Sequence, residues 1–253
     1  MNLLSKKFYF ENITIGSWLT LYNTGMAEIF SKNKFDWLVV DLEHSTITLE
    51  QASELIRIID LCGSRPIVRL TSNDADLAKR VLDSGAHGII VPMINSKEEA
   101  MRAIENTKYM PDGTRGVGLA RAQSYGNEFN KYLEWQKKEI LVIAQVEHIR
   151  GVNNIEEIIS VEGLDGVFIG PYDLSSSLEK PGDFGSKKFI DAVNNIKSAL
   201  KPTGKILGYH VVEPDEEKVR QAIIDGFNFI SFSVDIRLLD SNIKKSLQKI
   251  RNK

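Results

Sequence analysis

ILVIAQVEH, residues 140–148, and GVFIGPYDL, residues 166–174, decide the fold. Each is a short apolar run bounded by polar residues, as a buried strand is, and the interval between them has a helical pattern. Together they span about one βα repeat of a parallel α/β fold. Each run delivers a carboxylate where it stops, Glu147 in the first and Asp173 in the second. Alternate side chains of a barrel strand point inward, so Gln145 and Glu147 share a side near the strand's C-terminal end. Asp173 sits at the matching end of the next strand. Two neighbouring strands then offer carboxylate oxygens at one mouth, which suits a hard divalent cation that keeps open positions for water and substrate. The plainer alternative is that both acids cap helices, since Asp173 precedes Leu174 and three serines and Glu147 precedes a helix. The metal is preferred because a barrel places its chemistry at that face.

Outward from this pair the alternation continues in both directions. Residues 2–12 form a short helix capping the barrel bottom, GSWLTL, 16–21, is the first strand, and a helix follows at 24–33. FDWLVVDLEH, 35–44, is an apolar run ending in three ionisable groups, a strand whose far end is polar for a reason. Thr48 is an N-cap, with Gln51 completing a capping box, for a helix reaching Leu61. RPIVRL, 65–70, is the third strand with Arg69 near its end, and DADLAKRVLDSG, 74–85, is a helix stopped by Gly85. GIIVPMI, 88–94, is the fourth strand, and SKEEAMRAIENTKY, 96–109, is a helix opened by Ser96. The rhythm then breaks at PDGTRGVGLARAQSYGN, 111–127, which carries four glycines with Arg115 and Arg121. It is too long for an ordinary connection, and is either a mobile loop at a site or a solvated excursion.

An amphipathic stretch at 128–138 leads into the fifth strand, a helix over 150–160, the sixth strand and the loop SSSLEKPGDFGS, 175–186. A helix at 187–200, the strand KILGYHVV, 205–212, the helix DEEKVRQAIIDGF, 215–227, and the strand FNFISFSVDI, 227–236, complete the alternation. LLDSNIKKSLQKIRNK, 238–253, closes the chain as a basic amphipathic helix. Eight strands alternating with helices through right-handed crossovers give a closed (β/α)8 TIM barrel, one domain over residues 1–253.

A chain of 253 residues, 42% apolar, buries a full core. Its net charge of -2, with both signs interspersed, gives no footprint for nucleic acid or an anionic membrane, so small-molecule chemistry is favoured. Cys62 is the only cysteine, which excludes an internal disulfide and a thiolate cluster and reads as a structural residue at a helix end. The N-terminus lacks the apolar region of a signal peptide, and no run of about 18 apolar residues exists, so a cytoplasmic protein is expected.

His44, Arg69, Glu147 and Asp173 terminate strands two, three, five and six on this assignment. One face thus gathers a base, a permanent cation and two metal-ligand candidates, a combination suited to enolate chemistry. The other histidines are weaker candidates: His87 lies in a turn at the bottom as a surface residue, His148 points away from Glu147, and His210 is near the top of strand seven.

The strings DLEHST, PIVRL, SGAHGIIVPMINSKEEA, RGVGLARAQSYG, AQVEH and GVFIGPYDLS, in this order, resemble the HpcH/HpaI aldolase family from Gly16 to Leu239. The resemblance implies a class II pyruvate aldolase that cleaves a 4-hydroxy-2-oxo acid to pyruvate and an aldehyde. It implies a divalent metal, Mg²⁺ or Mn²⁺ with Co²⁺ as a further candidate, on Glu147 and Asp173. Gln145 and the backbone amides around Tyr172 and Asp173 would hold pyruvate, Arg69 the enolate oxygen, and His44 would act as base. Asp83 matches an aspartate paired with that base, yet it ends a helix that descends to the barrel bottom, so a neighbouring protomer would have to supply it; the alternative is a cap on the turn at Ser84 and Gly85. Relatives are hexamers built from dimers with exchanged terminal helices, so a homo-oligomer is expected. Leu42 stands where many relatives have glycine and His148 where they have threonine, which sets the aldehyde pocket apart from the pyruvate half. Two rival classes are an acyl-CoA lyase of the citrate-lyase β type, which needs a basic groove that only the 111–127 arginines could begin, and a non-catalytic metabolite-binding barrel, which would have lost a polar group from the mouth.

Overall fold

In the computed structural model, which describes residues 5–251, eight parallel strands close into a barrel in sequence order. They are β1 (Thr14–Leu19), β2 (Trp37–Asp41), β3 (Arg65–Arg69), β4 (Gly88–Val91), β5 (Leu141–Val146), β6 (Gly166–Ile169), β7 (Ile206–Val211) and β8 (Phe229–Val234). The first strand starts two residues before the sequence reading placed it, because Thr14 already pairs with Phe229 across the β1–β8 seam.

Alternation sorts the side chains as a barrel requires. Trp37, Val39, Ile67, Ile90, Leu141, Ile143, Phe168, Ile206 and Phe229 fill the interior, while the outward residues of the same strands pack under the ring of helices. Gly16 makes the lower interior possible, since a Cβ there would lie 2.1 Å from the Trp37 ring. Relieved of that clash, Trp37 stacks flat on Phe229 with centroids 3.9 Å apart. Below them the helix Lys6–Glu11 closes the bottom: Tyr9 is buried, its hydroxyl donates to the Asp36 carbonyl at 3.1 Å, and Lys6 pairs with Asp165 at 2.5 Å. Residues 2–4 of the expected N-terminal helix lie outside the described residues.

The helix signals hold where their chemistry is local. Thr48 and Gln51 form the full capping box on Leu49–Leu61, Cys62 is that helix's C-cap, and Ser96 caps Lys97–Glu105. Three departures matter. The helix expected over 150–160 is two short ones, Ile149–Asn153 and Ile155–Ile159. The serines expected in a loop belong to a helix, Pro171–Ser177. The final helix, Asp235–Arg251, does not close its own barrel: Ile236, Leu239, Ile243, Leu247 and Ile250 are all exposed along it.

Residues 111–127 lie between the end of one helix and the helix Phe129–Glu139 that precedes β5, so the chain's direction puts them at the barrel bottom, away from the mouth. They are also held in place. Arg115 is buried and donates to Asp83 at 2.6 Å, Gln123 is buried and donates to the Tyr109 hydroxyl at 2.8 Å, and Arg121 pairs with Asp60. His87, expected at the surface, is buried edge-on against Trp135 with Asp60 3.6 Å away. Among the described residues no helix is long and apolar enough to cross a membrane.

Candidate active site

β2 and β3 run in register from Trp37 with Arg65 to Asp41 with Arg69, so their last residues stand side by side at the mouth. Asp41 is buried and takes Arg69 in a two-point grip, with Nε at 2.8 Å and Nη2 at 2.5 Å. The same carboxylate accepts the backbone N–H groups of Glu43 at 3.0 Å and His44 at 3.3 Å. Asp41 therefore organises the strand end: it fixes the arginine and folds the chain that carries His44. Arg69 keeps Nη1 for other work, 3.3 Å from Glu43.

Gln145 and Glu147 do share a side, and Gln145 Nε2 donates to Glu147 Oε2 at 2.5 Å. The other carboxylate oxygen accepts from the Met93 backbone at 2.9 Å, and Met93 adopts φ 55° to present that N–H. A left-handed methionine is strained, and it is kept here because it holds the acid. Gly170, which follows β6, leaves room for the same carboxylate: a Cβ there would lie 2.6 Å from Glu147 Oε2. Asp173 lies within the first turn of Pro171–Ser177, whose cap is Gly170, so it is not itself the cap.

Electrostatics tie these acids into one cluster. Burial pushes the Glu147 carboxyl up to about 7, against the lowering effect of its bonds to Gln145 and Met93, and the nearby charges of Glu43 and Asp173 push the same way. Glu43 is raised by burial too, offset by Arg69 and reinforced by Asp41 and Asp173. Three carboxylates thus lie close enough at the mouth to feel one another's charge, and among the described residues Glu43 Oε2 and Gln145 Oε1 are buried without a hydrogen-bond partner. That donor set fits a divalent cation, which would offset the crowded charge. Among the described residues no group of three or more His, Cys, Asp and Glu could close a cage, so such an ion would take most of its shell from water and substrate.

Of the residues singled out in the sequence, the structure gathers Arg69, Gln145, Glu147 and Asp173, with His44 on the chain just past β2. Tyr172 is half exposed, edge-on to Phe184 at 5.1 Å. Asp83 is not among them: it ends the helix Ala75–Asp83 at the bottom, bonded to Arg115 of its own chain. The His44 ring has no carboxylate beside it among the described residues of a single chain. His148 caps the helix Ile149–Asn153, its Nδ1 accepting from Arg150 N at 3.1 Å, and Leu42 is a core residue. Glu43 was given no role of its own; its signal was its place among the three ionisable groups that end residues 35–44.

A model of the family described as HpcH/HpaI aldolase/citrate lyase matches residues 14–241. The 2-keto-3-deoxy-L-rhamnonate aldolase of Escherichia coli strain K12 is 33% identical over 242 residues, covering 95% of this chain and 90% of that protein. A crystal structure of an HpcH/HpaI aldolase/citrate lyase family protein from Burkholderia cenocepacia J2315, 31% identical, superposes with a TM-score of 0.92 over 97% of this chain and 98% of that one. The HpcH/HpaI aldolase of Desulfitobacterium hafniense DCB-2 is 28% identical with a TM-score of 0.90, covering 98% of this chain and 96% of that one. With the match running through every strand from β1 to β8, the chain belongs to the HpcH/HpaI aldolase/citrate lyase family and is a carbon–carbon lyase.

Proposed function

We propose that the protein is a cytoplasmic, divalent-metal-dependent pyruvate aldolase that reversibly cleaves a 4-hydroxy-2-oxo acid to pyruvate and an aldehyde. The observation that carries this is the meeting of Glu43, Glu147 and Asp173 beside Arg69 at one barrel mouth. Glu147 and Asp173 would hold the metal, Mg²⁺, Mn²⁺ or Co²⁺, with Glu43 as a third carboxylate beside them. The bound ion supplies Lewis acidity at the 2-oxo group.

The chain's own residues do the rest. Gln145 and the first-turn amides of Tyr172 and Asp173, which have no carbonyl partner within their helix, hold the pyruvate carboxylate. His44 takes the proton from the C4 hydroxyl, directly or through water. The C4–O electrons form the aldehyde carbonyl, the C3–C4 bond breaks, and its pair moves into the enolate of pyruvate. Arg69 Nη1 stabilises the enolate oxygen, and a proton delivered to C3 completes pyruvate. An acyl-CoA lyase is disfavoured because Arg115 and Arg121, the cations such a groove would need, are spent on Asp83 and Asp60 at the far end of the barrel.

The protein works as a homo-oligomer, a dimer or a hexamer built from dimers. The bare apolar stripe of Asp235–Arg251 supports this, since a single chain leaves it in water. Light scattering at micromolar concentration gives a mass of at least twice the chain; a monomer alone contradicts the assembly.

The decisive assay combines pyruvate with a panel of aldehydes and Mn²⁺ and reads aldol product. Product forms with at least one aldehyde, disappears on chelation and returns with Mg²⁺, Mn²⁺ or Co²⁺. Undiminished turnover after metal removal overturns the metal role.

A further inference from the structure

Arg69 is gripped along one edge by Asp41, and its guanidinium carbon also lies over the Trp18 ring, 4.5 Å from the centroid. Trp18 is 1% exposed, yet its Nε1 has no hydrogen-bond partner among the described residues. On its ring side the indole is held by stacking: His210 at 5.2 Å and 14°, and Phe168 tilted at 5.6 Å. His210 is fixed in its turn. Its Nε2 lies 3.1 Å from the Ser233 carbonyl, and because a carbonyl can only accept, that nitrogen carries the proton. The same oxygen takes Ser231 Oγ at 3.2 Å and Ser17 Oγ at 3.4 Å.

The Ser233 carbonyl is available because of an extra residue. Gly16 pairs with Ser231 and Trp18 with Val234, two steps on β1 against three on β8, and Ser233 adopts φ 59° in the resulting bulge. Bulges at barrel rims re-aim groups beside active sites. A backbone kink in β8 therefore sets His210, His210 sets Trp18, and Trp18 backs the arginine.

We propose that His210 and Trp18 are positioning residues that fix the plane of Arg69 for the developing enolate, with His210 acting as the neutral Nε2–H tautomer. Burial, with Arg69 nearby, lowers the His210 imidazole to about 4 against the raising effects of its bond to Ser233 and of the Asp41 charge, so no second cation competes beside the arginine near neutral pH. The inference rests on the aldolase assignment, in which Arg69 stabilises the enolate oxygen.

Two readouts on the metal-loaded enzyme separate this from a role in folding: the affinity of oxalate, a mimic of the enolate, relative to pyruvate, and the exchange of pyruvate methyl protons with D₂O. A misaimed arginine weakens oxalate more than pyruvate. For His210→Ala and for Trp18→Phe the oxalate-to-pyruvate affinity ratio falls by about tenfold, and exchange slows by about as much. His210→Phe, which keeps a stacking ring, retains more of both than His210→Ala. The third readout needs no metal: the ¹⁵N spectrum of the wild-type protein shows His210 protonated on Nε2 alone at pH 7. A ratio within about threefold of wild type in both His210→Ala and Trp18→Phe overturns the proposal, as does a doubly protonated or Nδ1–H ring. Arg69→Lys serves as the reference: if the wild type shows no methyl exchange, the aldolase assignment itself has failed, whereas exchange that survives in Arg69→Lys overturns the role of Arg69 and the positioning proposal with it.

Discussion

Gly170 is a sensitive position that carries no functional group. A methyl there would sit 2.6 Å from Glu147 Oε2 and 3.1 Å from its Cβ, so Gly170→Ala displaces the carboxylate from its bond to Gln145. Losing such support costs a metal site about ten- to a hundredfold in affinity, and Gly170→Ala should raise the metal concentration for half-maximal activity by that much. Titrating the apo-protein with Mn²⁺ measures it, and an unchanged titration means that Glu147 is not a ligand. The shared side of Gln145 and Glu147 was legible because Gln145 lies within β5 and Glu147 directly follows it, so strand alternation reaches both. Glu43 was not, because β2 ends at Asp41 and the turn that follows is shaped by the Asp41 carboxylate. His210 was left open, since what aims it is a bulge in another strand.

Among the elements, the 109–127 connection best separates what sequence can and cannot supply. Its length and glycines mark it as unusual, but only the direction of the chain places it below the barrel, and only the fold pairs Arg115 with Asp83. The Arg115 side chain is fully buried in that pair. Removing one partner of a buried pair costs about 3–5 kcal/mol, so Asp83→Ala lowers unfolding stability toward that range and speeds amide exchange across 115–126. Urea titration and hydrogen exchange check this. If Asp83 also reaches His44 of a neighbouring protomer, mixing inactive His44→Ala and Asp83→Ala subunits restores activity on co-assembly. No recovery from proven mixed oligomers leaves Asp83 as the anchor of this connection alone. The caps at Thr48 and Ser96 were readable for the opposite reason: their chemistry is complete within four residues.

For the whole molecule, stability should depend on pH through a histidine outside the site. Burial, then Arg65 and Arg121, lower His87 from 6.5 to about 3. Between those values the unfolded chain binds a proton that the folded chain refuses, so stability is intact above about pH 6.5 and is lost as pH falls. The loss from pH 7 to pH 5 is about 2 kcal/mol for this group, and His87→Gln removes it. Urea unfolding of both proteins at the two pH values reads the difference; an equal loss in both would show that the folded ring takes up its proton as readily as the unfolded one. The barrel as a whole was legible because eight apolar runs at regular spacing admit few closed arrangements. The fate of the last helix was not, because an apolar stripe does not say whose surface covers it. Closure of the barrel has one further effect. Among the described residues the bottom is stopped by the buried Tyr9, and above it Trp37 stacks on Phe229 in the barrel interior. Every reactant enters and leaves by one opening, as in a blind alley. If pyruvate lies deepest, against Gln145 and Arg69 as proposed, it must arrive before the aldehyde in synthesis and depart after it in cleavage, so the order of events follows from the architecture rather than from relative affinities.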